Sequence, residues 1–455
     1  MAKKKNTGKF VAFLMAGIGV FVLGFVLGFG GLIYLNAPQY DELKVNGVPI
    51  EEVSDTYYSK TDKALEVKKA DVSYQPEKES TADPTSSQTE GGQTSEGTVH
   101  SDLAVENAGI SIHFLELGNK YTGDCTYIKT DTCDILIDCG SKATSVPYVS
   151  AYLNQYVTDG ILEYVIITHA HEDHYAGFAT SKFEDSIFGL YECQTIITFS
   201  QTNQKPTSTK YKNYTTNLNK EIESGAHHYT TLECINQEME EGTAREGDEP
   251  KTVFDVGSHV TMTIVNSLFY TKKGSTENDY SVCTLFTYSE TDHSHYYFFS
   301  GDLEKEGEDW LADNTPLPDN QPLPKVDLYK AGHHGSKTSS NEKLMAVLQP
   351  STICVCCCAG SPEYTKTNEN QFPTQAFINR VAQYTQDVYV TTLCLDYKST
   401  DTSKQFTSMN GNIVFLAKLD VIDLKFSNNA TRLKDTEWFK ENRETPDAWK
   451  QDTAI

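Results

Sequence analysis

Residues 164–177 read YVIITHAHEDHYAG, an apolar run followed at once by His169, His171, Asp173 and His174. Imidazole and carboxylate are the usual ligands of zinc and similar divalent ions, and residues i and i+2 of an extended segment point the same way. His169 and His171 therefore reach one cation, while Asp173 and His174, just past the turn, can reach another. A lone histidine is usually a core or surface residue. Ligand-type residues packed this densely at a strand end make a metal site.

The same alternation of short apolar strands and polar turns runs on both sides of this stretch. ISIHFLEL, CTYIKT and DILIDCG precede it, with VPYVSAYLNQYV between, whose apolar residues recur at helical spacing. VTMTIVNS, SVCTLFTYS, HYYFFSGD, VDLYKAG, STICVCCC, VYVTTLCLD and NIVFLAKL follow it. This predicts an α/β enzyme of two packed sheets with helices outside, its charged residues at the strand ends. The interval 178–275, rich in Tyr, Thr, Asn and Glu, is expected to be an insertion over or beside the site. Residues 425–455, with Trp438 and Trp449, are expected to form a closing flap or a packed helix.

Toward the N-terminus the composition changes twice. Phe10 to Leu35 is uncharged, FVAFLMAGIGVFVLGFVLGFGGLIYL, and about 20 apolar residues suffice to span a bilayer. A transmembrane anchor over 10–36 is predicted, since a cleaved signal peptide has a shorter apolar core. Gly24 and Gly28 form a GxxxG pair, but glycine is common in such helices. Lys3, Lys4, Lys5 and Lys9 in the basic tail 1–9 keep that end cytoplasmic, so the rest of the chain faces outward at the cell membrane. Residues 37–107 follow as a flexible tether, with the low-complexity stretch ESTADPTSSQTEGGQTSEGT at 79–98. At ~150 residues per domain the length suggests roughly three domains, but this layout leaves one globular region, 108–424. Lys and Arg total 38 against 63 Asp and Glu, a formal charge of −25, so no stable complex with long nucleic acid held by charge is expected.

H-x-H-x-D-H after a strand resembles the signature of the metallo-β-lactamase fold, an αββα sandwich, and later segments match that family in order. FFSGDLE places Asp302 as the family's bridging carboxylate, and LYKAGHHGSKTSS places His333 and His334 at its last histidine motif. More narrowly, GHHGSKTSS, IHFLELG, LIDCG with Asp138, and ENDYS resemble the extracellular hydrolase domain of ComEC-type competence proteins. Cell-wall phosphorylcholine esterases share the fold. The resemblance covers roughly residues 109–420. It implies two divalent ions, zinc or manganese: His169, His171 and Asp302 on one, Asp173, His174, Asp302 and either His333 or His334 on the other. Asp173, Asp302 and His334 would then carry the chemistry.

Three departures from the family stand out. Its Gly-Gln-Gly-Asp turn appears as GNKYTGD, three residues longer before Gly123 and Asp124. Its later Tyr-Gly-His-Pro is NQFP here, with Phe372 and Pro373. Most relatives in the wider superfamily supply a third histidine to the first metal from a segment where this chain offers only His227 and His228. Two metals can lower the pKa of a shared water and stabilise the charge that develops on attack, so hydrolysis is the expected reaction. The resemblance implies a phosphodiester substrate outside the cell, nuclease-like. A teichoic acid phosphodiester or phosphorylcholine is the alternative, and an inactive binding module the third. Lys337 could touch a phosphate oxygen, although exposed lysines are the rule. Of eleven cysteines, Cys354, Cys356, Cys357 and Cys358 fall in one predicted strand, whose alternating side chains cannot all face one metal.

Overall fold

The structure is a computed structural model. It describes residues 103–205 and 207–450, and the backbone of four short strands nearer the N-terminus: Lys44–Val45 paired with Val48–Pro49, and Tyr58–Thr61 with Ala64–Val67. The chain divides into a unit of residues 1–58 and 67–78 and a larger one of 59–66 and 79–455. The expected span 10–36 and, apart from those strands and residues 103–107, the expected tether lie outside the described residues. Among the described residues no helix is long and apolar enough to cross a membrane.

Six strands open the globular region: β1 (Ile110–Phe114), β2 (Thr126–Lys129), β3 (Asp134–Ile137), β4 (Ile161–Ile167), β5 (Glu192–Thr198) and β6 (His227–Thr230). The next eight are β7 (Val253–Gly257), β8 (Val260–Val265), β9 (Cys283–Glu290), β10 (His293–Phe299), β11 (Leu328–Lys330), β12 (Thr352–Ala359), β13 (Val388–Cys394) and β14 (Phe406–Ser408). They make a second sheet in chain order, while β15 (Ile413–Lys418) and β16 (Val421–Phe426) return to the first, giving β6-β5-β4-β3-β2-β1-β15-β16. The inner faces meet through Phe114 on Phe299 at 6.3 Å, Tyr297 on Phe415 at 5.4 Å and Tyr164 on Phe254 at 5.6 Å.

β3 and β12 are buried at every position, as strands covered on both faces must be. The helix Val146–Leu153 shows the covering pattern, burying Val146, Val149 and Leu153 at helical spacing. β3 to β6 run parallel, and so do β10 to β13. In open α/β sheets the carboxyl ends of parallel strands are where sites form.

The interval 178–275 is not an addition to the layers. It supplies β5 and β6 to the first sheet and β7 and β8 to the second. Its one long helix, Thr209–Ser224, reads TKYKNYTTNLNKEIES, and β6 is only HHYT, so polar residues hide both periods. At the C-terminus the helices Glu437–Asn442 and Asp447–Lys450 bury Phe439 and Trp449 against each other. The Trp449 indole N–H donates to the Thr385 carbonyl at 2.9 Å.

Candidate metal centre

The carboxyl ends of β3, β4, β10 and β11 converge. β3 runs into Asp138, β4 into Thr168 and His169, β10 into Gly301 and Asp302, and β11 ends on Lys330 just before His333 and His334. The backbone must turn sharply to bring them together. A side chain on Gly140 would put its Cβ 1.6 Å from the carbonyl oxygen of Asp173, so the LIDCG turn needs glycine there. His333 and His334 both have positive φ, 47° and 55°, a conformation that costs a non-glycine residue on the order of 1–2 kcal/mol.

One oxygen is the hub. Asp302 Oδ2 lies 3.1 Å from His174 Nε2, 3.5 Å from His334 Nε2, 3.8 Å from His333 Nε2 and 3.9 Å from His169 Nε2. His334 Nε2 is also 3.5 Å from Asp173 Oδ2, and His169 Nε2 is 3.0 Å from His171 Nδ1. His169, His174, Asp302 and His334 are buried, whereas His171, Asp173 and His333 are partly exposed and mark the mouth.

Behind the rings stands a second layer that fixes their orientation. Asp138 accepts hydrogen bonds from Thr168 N at 2.8 Å, Thr168 Oγ1 at 2.7 Å and His174 Nδ1 at 2.7 Å. His334 Nδ1 donates to the Cys356 carbonyl at 2.9 Å. These bonds occupy Nδ1 and leave each Nε2 facing the centre, the arrangement typical of ligating histidines. The Asp302 amide donates to Ser281 Oγ at 3.0 Å. The Lys330 ammonium pairs with Asp124 and lies 3.8 Å from Asp302 Oδ1.

Charge makes the same point. Burial alone would depress His174 and His334, but the surrounding carboxylates, Asp302 first, hold His174 well above the usual imidazole range and His334 at about 10. Burial would raise Asp302, yet His174, His334 and His333 pull it well below the usual carboxylate range. His169 is driven down, by burial and then by the His174 charge. Four carboxylates, Asp124, Asp138, Asp173 and Asp302, outnumber the cations among them, Lys330 and the protonated His174 and His334, and a divalent ion is the charge that can replace those imidazole protons.

The residues fit a divalent cation. His174 Nε2, His334 Nε2 and Asp302 Oδ1 are buried polar atoms without a hydrogen-bond partner, and such atoms are rare unless something binds them. Asp124, His174, Asp302 and His334 each offer a ligand atom, all within 4.8 Å of one another. Asp124 belongs to this group by distance, but its oxygens go to Lys330 and, at 3.1 Å, to His334 Nδ1. It stands behind the rings, and Asp173 faces the front.

His169, His171, Asp173, His174, Asp302, His333 and His334 are therefore brought together. His334 lies on the side of His174 and Asp173, and His333 is tied at Nδ1 to Thr338 at 3.0 Å. His227 and His228 are not in the group. His227 Nδ1 pairs with Asp248 at 2.7 Å and His228 Nε2 with Thr198 at 2.9 Å, on the edge strand β6. Lys337 is exposed, and Phe372, where the family has a histidine, packs its ring 5.8 Å from both His333 and His334. Lys330 and Tyr364, whose hydroxyl donates to Asp173 Oδ2 at 2.5 Å, had no sequence signal, and Asp124 and Asp138 had only their glycine turns.

No curated protein matches the chain. Among solved structures, a subclass B3 metallo-beta-lactamase from a soil metagenome library aligns at 14% identity over 41% of this chain and 59% of that one, TM-score 0.22. A subclass B3 enzyme of Bradyrhizobium japonicum aligns at 17% identity over 48% and 75%, TM-score 0.25. The metallo-beta-lactamase of Elizabethkingia meningoseptica aligns at 15% identity over 46% and 69%, TM-score 0.23. The chain thus spans 59% of the length of the first of these. Residues 118–185, which carry the histidine cluster together with Asp124 and Asp138, match the family model of the metallo-beta-lactamase superfamily, and it is this superfamily that the chain resembles over that part of the candidate centre.

Proposed function

We propose that the chain is a metal-dependent hydrolase of phosphodiesters, held at the outer face of a membrane by its N-terminal apolar run. The observation that carries the hydrolase reading is the convergence of four imidazole Nε2 atoms on Asp302 Oδ2. Asp173, His174, His334 and Asp302 would hold one cation, and His169, His171 and Asp302 a second, as zinc or manganese. When bound, such ions supply Lewis acidity and a water acidic enough to attack at neutral pH.

The protein's own part is orientation. Asp138 and the Cys356 carbonyl fix the tautomers of His174 and His334, and Lys330 steadies Asp302 from the side away from the histidines. The phosphodiester reading is supported by the ComEC-type likeness of GHHGSKTSS.

The test compares the full-length chain with Asp302→Ala for metal content and cleavage of bis-p-nitrophenyl phosphate. About two metals per chain and a loss of at least ~100-fold in rate are expected. Metal without cleavage would sink the substrate class. A chain that takes up no metal would leave only the binding-module reading standing.

A further inference from the structure

At the mouth of the centre one side chain is bonded more closely than packing requires. Tyr364 is 54% exposed and sits between β12 and the helix Gln375–Val381. Its hydroxyl donates to Asp173 Oδ2 at 2.5 Å, the oxygen that lies 3.5 Å from His334 Nε2. Its ring leans on Phe372 at 5.5 Å, and Phe372 is the wall beside both His333 and His334. A half-exposed tyrosine adds little to a core. Its bond to a carboxylate of the centre is a short, charge-assisted one.

The donors on the inner side of the centre are already committed. Lys330 is buried on Asp124, and the Nδ1 groups of His174 and His334 are bonded behind the rings. Tyr364 brings a hydroxyl in from the open side, where a substrate must arrive. Asp173, once it serves as a ligand, has less need of the phenol.

We propose that Tyr364 contacts the substrate, donating its hydroxyl hydrogen bond to a non-bridging oxygen of the phosphodiester; this rests on the phosphodiesterase reading above. The bond strengthens as negative charge builds on the phosphoryl oxygens during attack, so it acts on the transition state more than on the bound ground state. No proton leaves Tyr364. Water adds to phosphorus and gives a proton to solvent, the bond to the leaving oxygen breaks with its electron pair on that oxygen, which is released as nitrophenolate or takes up a solvent proton, and the phenol O–H is intact at the end.

The experiment compares full-length wild type and Tyr364→Phe, each supplied with Mn2+ or Zn2+. Metal content, kcat and KM on bis-p-nitrophenyl phosphate, and the affinity for inorganic phosphate by calorimetry are measured. Equal metal content, a kcat lower by roughly 10- to 100-fold and a weaker phosphate affinity are expected, the size being that of one hydrogen bond to a charged group. Unchanged kcat and unchanged phosphate affinity would overturn the proposal. So would metal content falling in step with activity, which would make Tyr364 only a support for Asp173. Phosphate binding needs no turnover, so the two failures separate. A wild type that binds phosphate without cleaving the ester sinks the phosphodiesterase reading, and equal phosphate affinity in both proteins, with equal kcat wherever there is turnover, sinks the role of Tyr364.

Discussion

Arg380 and Glu308 grip the residues that follow His334 from two sides. The Arg380 guanidinium donates to the carbonyls of Ser336, Lys337, Ser339 and Ser340 at 2.7 to 3.3 Å. Glu308 accepts from the amides of Ser340 and Asn341 and from Asn341 Nδ2 at 2.7, 2.8 and 2.8 Å. The run SKTSSN is thus small and polar because its backbone is used up by two charged side chains while much of it is buried. This grip steadies the two left-handed histidines just before it. Burial pushes the Glu308 carboxyl up to about 7, against the pull of the Asn341 and Ser340 hydrogen bonds and the Arg380 charge. The sign of the pH effect follows. Between about 4.5 and 7 the folded chain keeps a proton that the unfolded chain gives up, so stability present below 4.5 is lost as pH rises through 7, by something of order 3 kcal/mol. In chelator, urea unfolding should show wild type further ahead of Glu308→Gln at pH 5 than at pH 8. A gap that stays constant or widens with pH would contradict this.

At the scale of elements, β12 shows what a strand buried on both faces does to cysteine. TICVCCCA has no exposed position, so Cys354, Cys356, Cys357 and Cys358 pack as small apolar groups. Burial raises the thiols of Cys354 and Cys357 and drives that of Cys356 higher still. None of the eleven cysteines is in a disulfide and Cys394 is the one not buried, so a maleimide should label about one thiol per native chain and eleven after denaturation. Several fast-reacting thiols in the native chain would mean that β12 is not where it is placed here. Elements also decide how much the sequence could reveal. His169, His171, Asp173 and His174 were legible because one strand end carries all of them, and Asp302, His333 and His334 because each follows an apolar strand of its own. Lys330 and Tyr364 were not, because a lysine ending an apolar strand and a tyrosine in the loop after β12 carry no ligand pattern, and Asp124 had only its glycine turn. His227 and His228 lay in a plausible interval, but an edge strand with Asp248 and Thr198 nearby satisfies them.

Over the whole molecule the same electrostatic shortage appears twice. The chain carries a formal charge of −25, and its centre gathers Asp124, Asp138, Asp173 and Asp302, of which Asp124 and Asp302 flank Lys330. Both repel themselves, but among the described residues only the second is organised to take a divalent ion, since there unpartnered imidazole and carboxylate atoms converge. A ligand that binds the folded state alone stabilises it by mass action, about 2.7 kcal/mol at a hundredfold excess over Kd, which for a chain of this size is a rise of roughly 3–4 °C in Tm. Zn2+ or Mn2+ should therefore raise Tm and a chelator reverse it. Surface screening predicts a rise as well, but one that any salt of equal ionic strength gives and that Asp302→Ala keeps. Binding at the centre predicts a rise that sodium chloride does not reproduce and that Asp302→Ala loses. Should the metal effect survive that substitution at full size, the stabilisation belongs to the acidic surface and the converging side chains hold no ion.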